Sequence, residues 1–257
     1  MSLSDADFMR FSRQVLLPEV GERGQVALSN AHVTVIGMGG LGHLVAQYLA
    51  AAGVGTLTLI DHDKIEVSNL PRQLLYSSDD IGYFKADIAR DKLTVTNHAC
   101  AINAVTVKAI DSNIRELLAK TDLILDCTDN FSTRQLINTT CVKQQVPLIS
   151  ASVAHFSGQL LIVDLNQSPE SGCYNCLFPE DSVVTHNCQT TGVLGPMVGV
   201  MASMQSLVAM NYLMGIDVPF GKLLQFDGLK MCWREIGLSR DLSCESCQSS
   251  IANATQC

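Results

Sequence analysis

A glycine loop at residues 37–42 constrains the fold of this chain more than any other feature. The loop reads Gly-Met-Gly-Gly-Leu-Gly, follows the apolar run 32–36 and precedes a helix-like stretch at 44–52. A strand, a glycine turn and a helix in this order present free N–H groups and the positive end of a helix dipole to a phosphate. The candidate nucleotide-binding residues in the loop are Gly37, Gly39, Gly40 and Gly42.

Strand-like and helix-like segments alternate along the chain after this loop. Apolar runs at 33–36, 57–60, 123–126 and 148–150 predict parallel strands that are covered on both faces. From residue 158 the pattern changes to shorter strands and more turns. We therefore expect an α/β fold with a Rossmann-like, doubly wound, mostly parallel sheet that continues into an antiparallel C-terminal portion. Gly195 and Pro196 indicate the start of a methionine-rich helix.

Composition narrows the class of protein and its compartment. The 257 residues are 47% hydrophobic and carry a net charge of -8, which suits one α/β domain and argues against general nucleic-acid binding. The polar first residues show no signal peptide, so the ten cysteines indicate a reducing, cytoplasmic location. Polar residues interrupt the apolar stretch 197–214, which favours a buried or subunit-interface helix over a membrane span.

Polar residues near the ends of the strands indicate which nucleotide binds. Asp61 closes the second strand about twenty residues after the glycines, where a carboxylate binds ribose hydroxyls. This pair of features alone makes an NAD-dependent dehydrogenase the default interpretation. Arg72 and Lys85 add the cations that a triphosphate needs, and Asp129 follows a strand and adds a carboxylate for Mg²⁺. The combination favours ATP.

Two C-x-x-C pairs form a second candidate site. They consist of Cys173 with Cys176 and Cys244 with Cys247. Four thiolates match the tetrahedral coordination of a structural Zn²⁺ with no open position. The long gap between the pairs leaves a disulfide pair or a redox dithiol as alternatives.

Several motifs in their order along the chain resemble the ThiF/MoeB/HesA family, the bacterial relatives of ubiquitin-activating enzymes. They are the run 8–14 (Phe-Met-Arg-Phe-Ser-Arg-Gln), the glycine loop, the run 68–73 (Ser-Asn-Leu-Pro-Arg-Gln) and the run 126–130 (Asp-Cys-Thr-Asp-Asn). The resemblance extends to the second cysteine pair, and the stretch 187–196 is more similar to the ThiF branch than to the MoeB branch. It implies a single adenylation domain over 1–257: an N-terminal helical segment (1–31), a nucleotide-binding core (32–152), a C-terminal part with sheet, crossover loop and zinc site (153–247), and a tail (248–257).

The resemblance also implies an activity. Members of this family use ATP to adenylate the C-terminal glycine carboxylate of a small ubiquitin-like sulfur carrier, and pyrophosphate is released. The ThiF branch implies the carrier ThiS of thiamine thiazole biosynthesis, with the molybdopterin carrier MoaD as the alternative and an NAD-dependent oxidoreductase as a remote one. The implied cofactors are ATP, Mg²⁺ and structural Zn²⁺. The implied partners are the carrier, a second copy of the chain and a persulfide sulfur donor, with no membrane or nucleic acid.

The resemblance assigns roles to residues by their position in the motifs. The implied nucleotide contacts are Gly40 on the phosphates, Asp61 on the ribose, Asn69, Arg72 and Lys85 on the phosphate chain, Ser68 and Gln73 in the same segment, and Asp129 on Mg²⁺ with Asn130 beside it.

Two further roles lie outside the nucleotide motifs. Arg13 resembles the arginine that reaches into the neighbouring subunit's site, and Cys188 resembles a cysteine that bonds to the carrier through an acyl disulfide. The sequence departs from the family pattern at two positions. Pro71 stands where a polar residue usually precedes the arginine, and Phe84 stands where proline commonly precedes the lysine. Neither departure removes a charged group.

Overall fold

The computed structural model describes residues 3–179 and 192–248. These residues form one sheet of eight strands. The strands are β1 (His32–Ile36), β2 (Thr56–Ile60), β3 (Ala101–Val105), β4 (Leu123–Asp126), β5 (Leu148–Ala154), β6 (Ser157–Val163), β7 (Lys222–Asp227) and β8 (Cys232–Gly237).

Helices cover the sheet and connect its strands. Those in the described ranges are α1 (Asp5–Arg10), α2 (Ser12–Val15), α3 (Gly21–Asn30), α4 (Gly42–Ala52), α5 (Lys85–Thr96), α6 (Ile114–Leu117), α7 (Phe131–Gln144), α8 (Tyr174–Leu177), α9 (Gly195–Met214) and α10 (Glu245–Gln248). Short 3₁₀ turns at Val67–Asn69 and Ser78–Asp80 lie between β2 and α5.

The order of the strands confirms the expected doubly wound sheet. Across the sheet the order is β3-β2-β1-β4-β5-β6-β7-β8. The first five strands in this order are parallel, and the pairs from β5 to β8 are antiparallel. The chain moves outward from β1 to β2 and β3, then returns to the other side of β1 as β4. A crevice therefore forms between the carboxyl ends of β1 and β4, which is the switch point where open α/β sheets bind ligands.

Apolar side chains on both faces explain why the parallel strands read as continuous apolar runs. Leu123 and Leu125 of β4 belong to a core cluster that includes residues of α4 and α9. Ile124 points the other way, into a second cluster with residues of α7 and the cysteine pairs. Successive side chains of a strand alternate between faces, so a strand buried on both sides is apolar throughout.

Helix α9 begins at Gly195, as the Gly-Pro pair predicted. Within the described part of the chain it is the one helix that is long and apolar enough to cross a membrane. Its Gln205 is fully buried and donates hydrogen bonds to the carbonyl oxygens of Asp126 (3.1 Å) and Ile149 (2.9 Å). These bonds tie α9 to the end of β4 and the start of β5 and explain the polar residue at position 205, as expected for a core helix.

Candidate active site

A cleft of about 870 Å³ lies at the switch point of the sheet. The glycine loop forms one wall, residues 60–73 and Lys85 form another, and residues 127–134 after β4 form a third. The structure brings most of the predicted binding residues into this cleft. They are Gly37, Gly39, Gly40, Asp61, Ser68, Asn69, Arg72, Gln73, Lys85, Asp129 and Asn130.

Two of the predicted nucleotide-site residues in the described ranges, Gly42 and Arg13, do not line the cleft. Gly42 is buried at the start of α4. Arg13 is exposed on α2 and does not reach the cleft of its own chain. Cys188 lies outside the residues that the structure describes.

The glycines at the two ends of the loop give it its shape. Gly37 has a φ of 89°, a backbone conformation that favours glycine. A Cβ atom on Gly42 would lie 1.8 Å from the carbonyl oxygen of Gly37, so the turn can close only around a residue with no side chain. Gly37 and Gly42 therefore form the turn. Gly39 and Gly40 line the cleft, where a ligand can approach their backbone closely.

Asp61 joins the glycine loop to the end of β2. Its Oδ2 accepts a hydrogen bond from the Met38 N–H (2.6 Å), and its Oδ1 accepts one from the Asp63 N–H (2.7 Å). Burial raises the pKa of the Asp61 carboxyl, while the Lys85 charge and these two hydrogen bonds act in the opposite direction. Each carboxylate oxygen can accept a further bond, so Asp61 can hold the loop and still bind a ribose hydroxyl.

The two predicted cations reach the cleft in different ways. Lys85 is the first residue of α5 and only 6% exposed, and its Nζ lies 3.0 Å from Asp63 Oδ2. Arg72 is half-buried and donates from Nη1 to the Ser68 carbonyl oxygen (2.9 Å). Among the described residues no carboxylate forms a salt bridge with Arg72, so its charge is available to an anion in the cleft.

A buried ion pair fixes the loop that carries Asp129. Asp126 accepts hydrogen bonds from the Thr128 N–H (3.0 Å) and the Ser150 hydroxyl (2.7 Å), and its Oδ2 lies 3.6 Å from Arg134 Nη1. Arg134 also donates to the Thr128 carbonyl oxygen. The exposed Asp129 follows immediately, so a rigid support presents its carboxylate at the edge of the sheet.

Asn130 has a structural role in this arrangement. Its side-chain oxygen accepts a hydrogen bond from the Thr133 N–H (3.0 Å) and caps the N-terminus of α7. The cap fixes the direction in which α7 leaves the cleft.

Sequence reasoning missed several charged residues of the cleft, namely Asp63, Lys64, Glu66, Lys108 and Arg134. One signal could have identified Arg134. It lies in the first turn of α7, where a cation opposes the helix dipole and needs a local anion to compensate. Asp126 is that anion.

The four cysteines of the C-x-x-C pairs lie together, and no described cysteine forms a disulfide. The Sγ atoms of Cys173 are 3.8 Å from Cys176 and 3.7 Å from Cys244, and Cys176 is 3.5 Å from Cys247. A disulfide needs about 2.05 Å between sulfurs. Sulfurs bound to zinc at about 2.3 Å in a tetrahedron lie about 3.8 Å apart. The spacing fits a tetrahedral metal ion and does not fit a disulfide.

Neighbouring groups orient the sulfurs. The Asn138 side-chain amide lies 3.4 Å from Cys173 Sγ, and the Asp241 N–H lies 3.4 Å from Cys176 Sγ. Donors aimed at sulfur are typical of metal-bound thiolates, whose second shell fixes their direction. The cluster can therefore hold a metal ion, and it lies on the face of the sheet covered by α7, away from the cleft.

The strand order, the glycine loop and the polar cleft at the switch point define a nucleotide-binding α/β protein of the Rossmann type. Comparison with known proteins makes the assignment more specific. The chain belongs to the ThiF family, whose model matches residues 11–246.

Relatives of known name support this assignment. The chain is 43% identical to the sulfur carrier protein ThiS adenylyltransferase of Escherichia coli (strain K12), covering 98% of this chain and 99% of that protein. It is 39% identical to the molybdopterin-synthase adenylyltransferase of the same organism, covering 95% and 98%. The crystal structure of E. coli MccB with ATP is similar in fold, with a TM-score of 0.82 at 24% identity over 93% of this chain and 73% of that one.

Proposed function

We propose that this chain is a single adenylation domain that transfers AMP from ATP to the C-terminal glycine carboxylate of a ThiS-type sulfur carrier. One observation carries the proposal. The structure gathers Arg72, Lys85 and Asp129 around the glycine loop in one cleft. Two cations and a carboxylate beside a phosphate-binding turn suit a triphosphate with its Mg²⁺, whereas a nicotinamide dinucleotide does not need them.

The chemistry follows from charge and position. The carrier's carboxylate is already a nucleophile at neutral pH, so no strong general base is needed. It attacks the α-phosphorus in line, the bond from that phosphorus to the bridging oxygen breaks, and pyrophosphate leaves. The protein holds two anions close together and stabilises the charge on the leaving group, which is the task of Arg72 and Lys85.

Further features of the cleft support a bound nucleotide. Gln73 is 2% exposed and lines the cleft, and no described residue donates a hydrogen bond to its Oε1. A buried acceptor without a partner costs free energy, so a donor on a ligand would satisfy it. Asp129 is an exposed carboxylate at the carboxyl edge of the sheet, in the loop that follows β4, and we assign Mg²⁺ to it.

The remaining parts of the proposal concern partners. Arg13 is exposed on α2, so it is free to complete the cleft of a second copy, as expected for a homodimer. Structural zinc in the cysteine cluster and sulfur transfer from a persulfide donor through Cys188 complete the proposal. Replacement of Cys188 by serine should leave adenylation intact.

A MoaD-type carrier is the second candidate substrate. The relative that is named a molybdopterin-synthase adenylyltransferase is 39% identical to this chain, close to the 43% of the ThiS enzyme. The cleft holds the nucleotide in either case, so its geometry does not distinguish the two carriers.

The experiment that tests the proposed site is carrier-dependent exchange of ATP with pyrophosphate in two charge variants. Arg72→Ala and Lys85→Ala should each slow exchange by about 10²–10³-fold, because loss of one group that stabilises transition-state charge costs on the order of 2.7–4 kcal/mol. Arg115→Ala and Lys143→Ala, which remove exposed cations outside the cleft, are the matched controls. Near-wild-type exchange in both cleft variants would contradict the assignment.

A further inference from the structure

Two buried side chains that the proposed chemistry does not use lie behind the glycine loop. His43 is 0% exposed and Tyr76 is 6% exposed, and their ring centroids are 6.2 Å apart. Neither residue lines the cleft. Each forms hydrogen bonds that join the glycine loop to a segment carrying one of the two cations.

His43 joins the loop to the Arg72 segment. Its Nδ1 lies 2.7 Å from the Gly39 carbonyl oxygen, and its Nε2 lies 3.0 Å from the backbone nitrogen of Leu74. A carbonyl oxygen only accepts and an amide N–H only donates, so the ring is neutral with its proton on Nδ1. Burial lowers the pKa of His43 to about 4, in keeping with this neutral form. Leu74 follows Arg72 by two positions, so the imidazole fixes the arginine segment against the loop.

Tyr76 joins the loop to the Lys85 helix. Its hydroxyl lies 2.9 Å from the Met38 carbonyl oxygen and 3.2 Å from the Lys85 carbonyl oxygen. Lys85 is the first residue of α5, so this hydroxyl fixes the start of that helix relative to the loop. A hydroxyl has one proton, so Tyr76 donates it in a hydrogen bond shared between the two carbonyl oxygens, and this shared bond connects the helix to the loop.

We infer that His43 and Tyr76 are positioning residues that set the spacing between the glycine loop, Arg72 and Lys85 before the nucleotide binds. The inference rests on the proposed function, because those two cations are assigned to the phosphate chain. The physical reason is that a displacement of about 1 Å in a charged group can reduce the rate by about 10²-fold. The hydrogen bonds from His43 and Tyr76 prevent such a displacement.

The first test removes only the Tyr76 hydroxyl. Tyr76→Phe keeps the ring and should lower kcat/KM for ATP in carrier-dependent exchange by about tenfold, since loss of the shared hydrogen bond loosens Lys85 relative to the loop. Tyr212→Phe is the matched control. Its hydroxyl also donates a hydrogen bond, to Asp164 Oδ2 (2.7 Å), but it lies outside the cleft region. The control should keep the wild-type kcat/KM.

The second test separates the two hydrogen bonds of His43. A glutamine amide oxygen reaches the place of Nε2 and can accept from Leu74, whereas an asparagine amide reaches only the place of Nδ1 and can donate to Gly39. His43→Gln keeps the bond to the segment that carries Arg72, so we expect it to retain most of the wild-type kcat/KM. His43→Asn loses that bond, so we expect its kcat/KM to fall about tenfold. A role in stability alone would change the free energy of unfolding in both variants and leave kcat/KM of the folded protein unchanged.

Amide hydrogen exchange provides a readout that needs no carrier. The Leu74 N–H should exchange faster in His43→Asn than in His43→Gln, and residues 37–42 and 85–88 should exchange faster in Tyr76→Phe than in Tyr212→Phe. If the wild-type protein shows no activity with any carrier, the proposed function is wrong. The pattern of amide hydrogen exchange still tests the positioning role in that case. Wild-type kcat/KM and unchanged amide exchange in both Tyr76→Phe and His43→Asn would overturn the inference.

Discussion

Two cations of the cleft lie at positions where the local structure disfavours a positive charge. Lys85 and Arg134 each lie in the first turn of a helix, where the dipole disfavours a positive charge. Each has an acidic partner, Asp63 at 3.0 Å for Lys85 and Asp126 at 3.6 Å for Arg134. These carboxylates offset the unfavourable dipole, so both cations are kept beside the cleft that the proposed phosphate site occupies.

The sequence predicts residues whose role depends on local motifs. Asp61 follows β2 directly, and Gly39 and Asp129 each lie three residues after the end of a strand, so the strand pattern alone predicts that they meet at one edge of the sheet. The partners of His43 could not be predicted in this way. Leu74 lies in an irregular segment, and only the folded chain brings its N–H to the imidazole.

The lowered pKa of His43 predicts how stability depends on pH. The folded pKa is about 4 and the ordinary value is 6.5, so between these values the unfolded chain binds a proton that the folded chain does not. Stability therefore falls as pH falls through this window. Between pH 7 and pH 5 the wild-type protein should lose about 2 kcal/mol more free energy of unfolding than His43→Gln.

Urea denaturation of both proteins at the two pH values measures this difference. Contributions from other groups, including Asp61, are common to both proteins and cancel. An identical pH dependence in the two proteins would show that folding does not lower the pKa of His43.

At the scale of elements, the turn from β1 to α4 tolerates no side chain at Gly42, the residue with which α4 begins. A Cβ on Gly42 would lie 1.8 Å from the Gly37 carbonyl oxygen, whereas one on Gly199 in α9 would meet nothing within 4 Å. Gly42→Ala should lower the free energy of unfolding by about 3 kcal/mol or more and weaken Mg-ATP binding. Gly199→Ala should be neutral or stabilise by about 0.5–1 kcal/mol, as expected for glycine replaced within a helix.

Urea denaturation and ATP titration of both glycine variants measure these effects. If Gly42→Ala binds Mg-ATP as tightly as Gly199→Ala, then the closed shape of the turn is not required for the phosphate site.

Elements buried on both faces were predicted well, and exposed ones were not. β4 has the bounds that its apolar run indicated, and β1 and β2 differ from their runs only at the first residue. β3 was missed because it lies at the edge of the sheet and its residues are exposed or half-buried, so it lacks a continuous apolar run. β5 continues to Ala154, beyond the predicted 148–150, because it pairs with the antiparallel β6 along its whole length.

At the scale of the whole molecule, the cysteine cluster joins segments that are far apart in sequence. Cys173 and Cys176 lie next to Cys244 and Cys247, and Thr139 of α7 hydrogen-bonds Ser246 (2.8 Å). A metal ion in the cluster would fasten α10 to α8, and both of these short helices pack against α7. The binding free energy of a structural metal ion adds to the stability of the fold.

We therefore expect freshly purified protein to contain zinc in a one-to-one ratio with the chain. Removal of the metal with a strong chelator, or Cys247→Ser, should lower the thermal midpoint, whereas Cys232→Ser should retain zinc because Cys232 lies outside the cluster. Metal analysis and thermal denaturation check both statements. Protein that is free of zinc and equally stable would contradict a structural metal site.

Carrier-dependent exchange of ATP with pyrophosphate tests the central claim most directly. The assay compares ThiS and MoaD, each with its terminal glycine intact and each with that glycine removed, in the presence of Mg²⁺. We predict rapid exchange with intact ThiS, slower exchange with intact MoaD and none with either truncated carrier, because the glycine carboxylate is the group that accepts AMP. Faster exchange with MoaD would reassign the carrier. Absence of exchange with both intact carriers would contradict the proposed function.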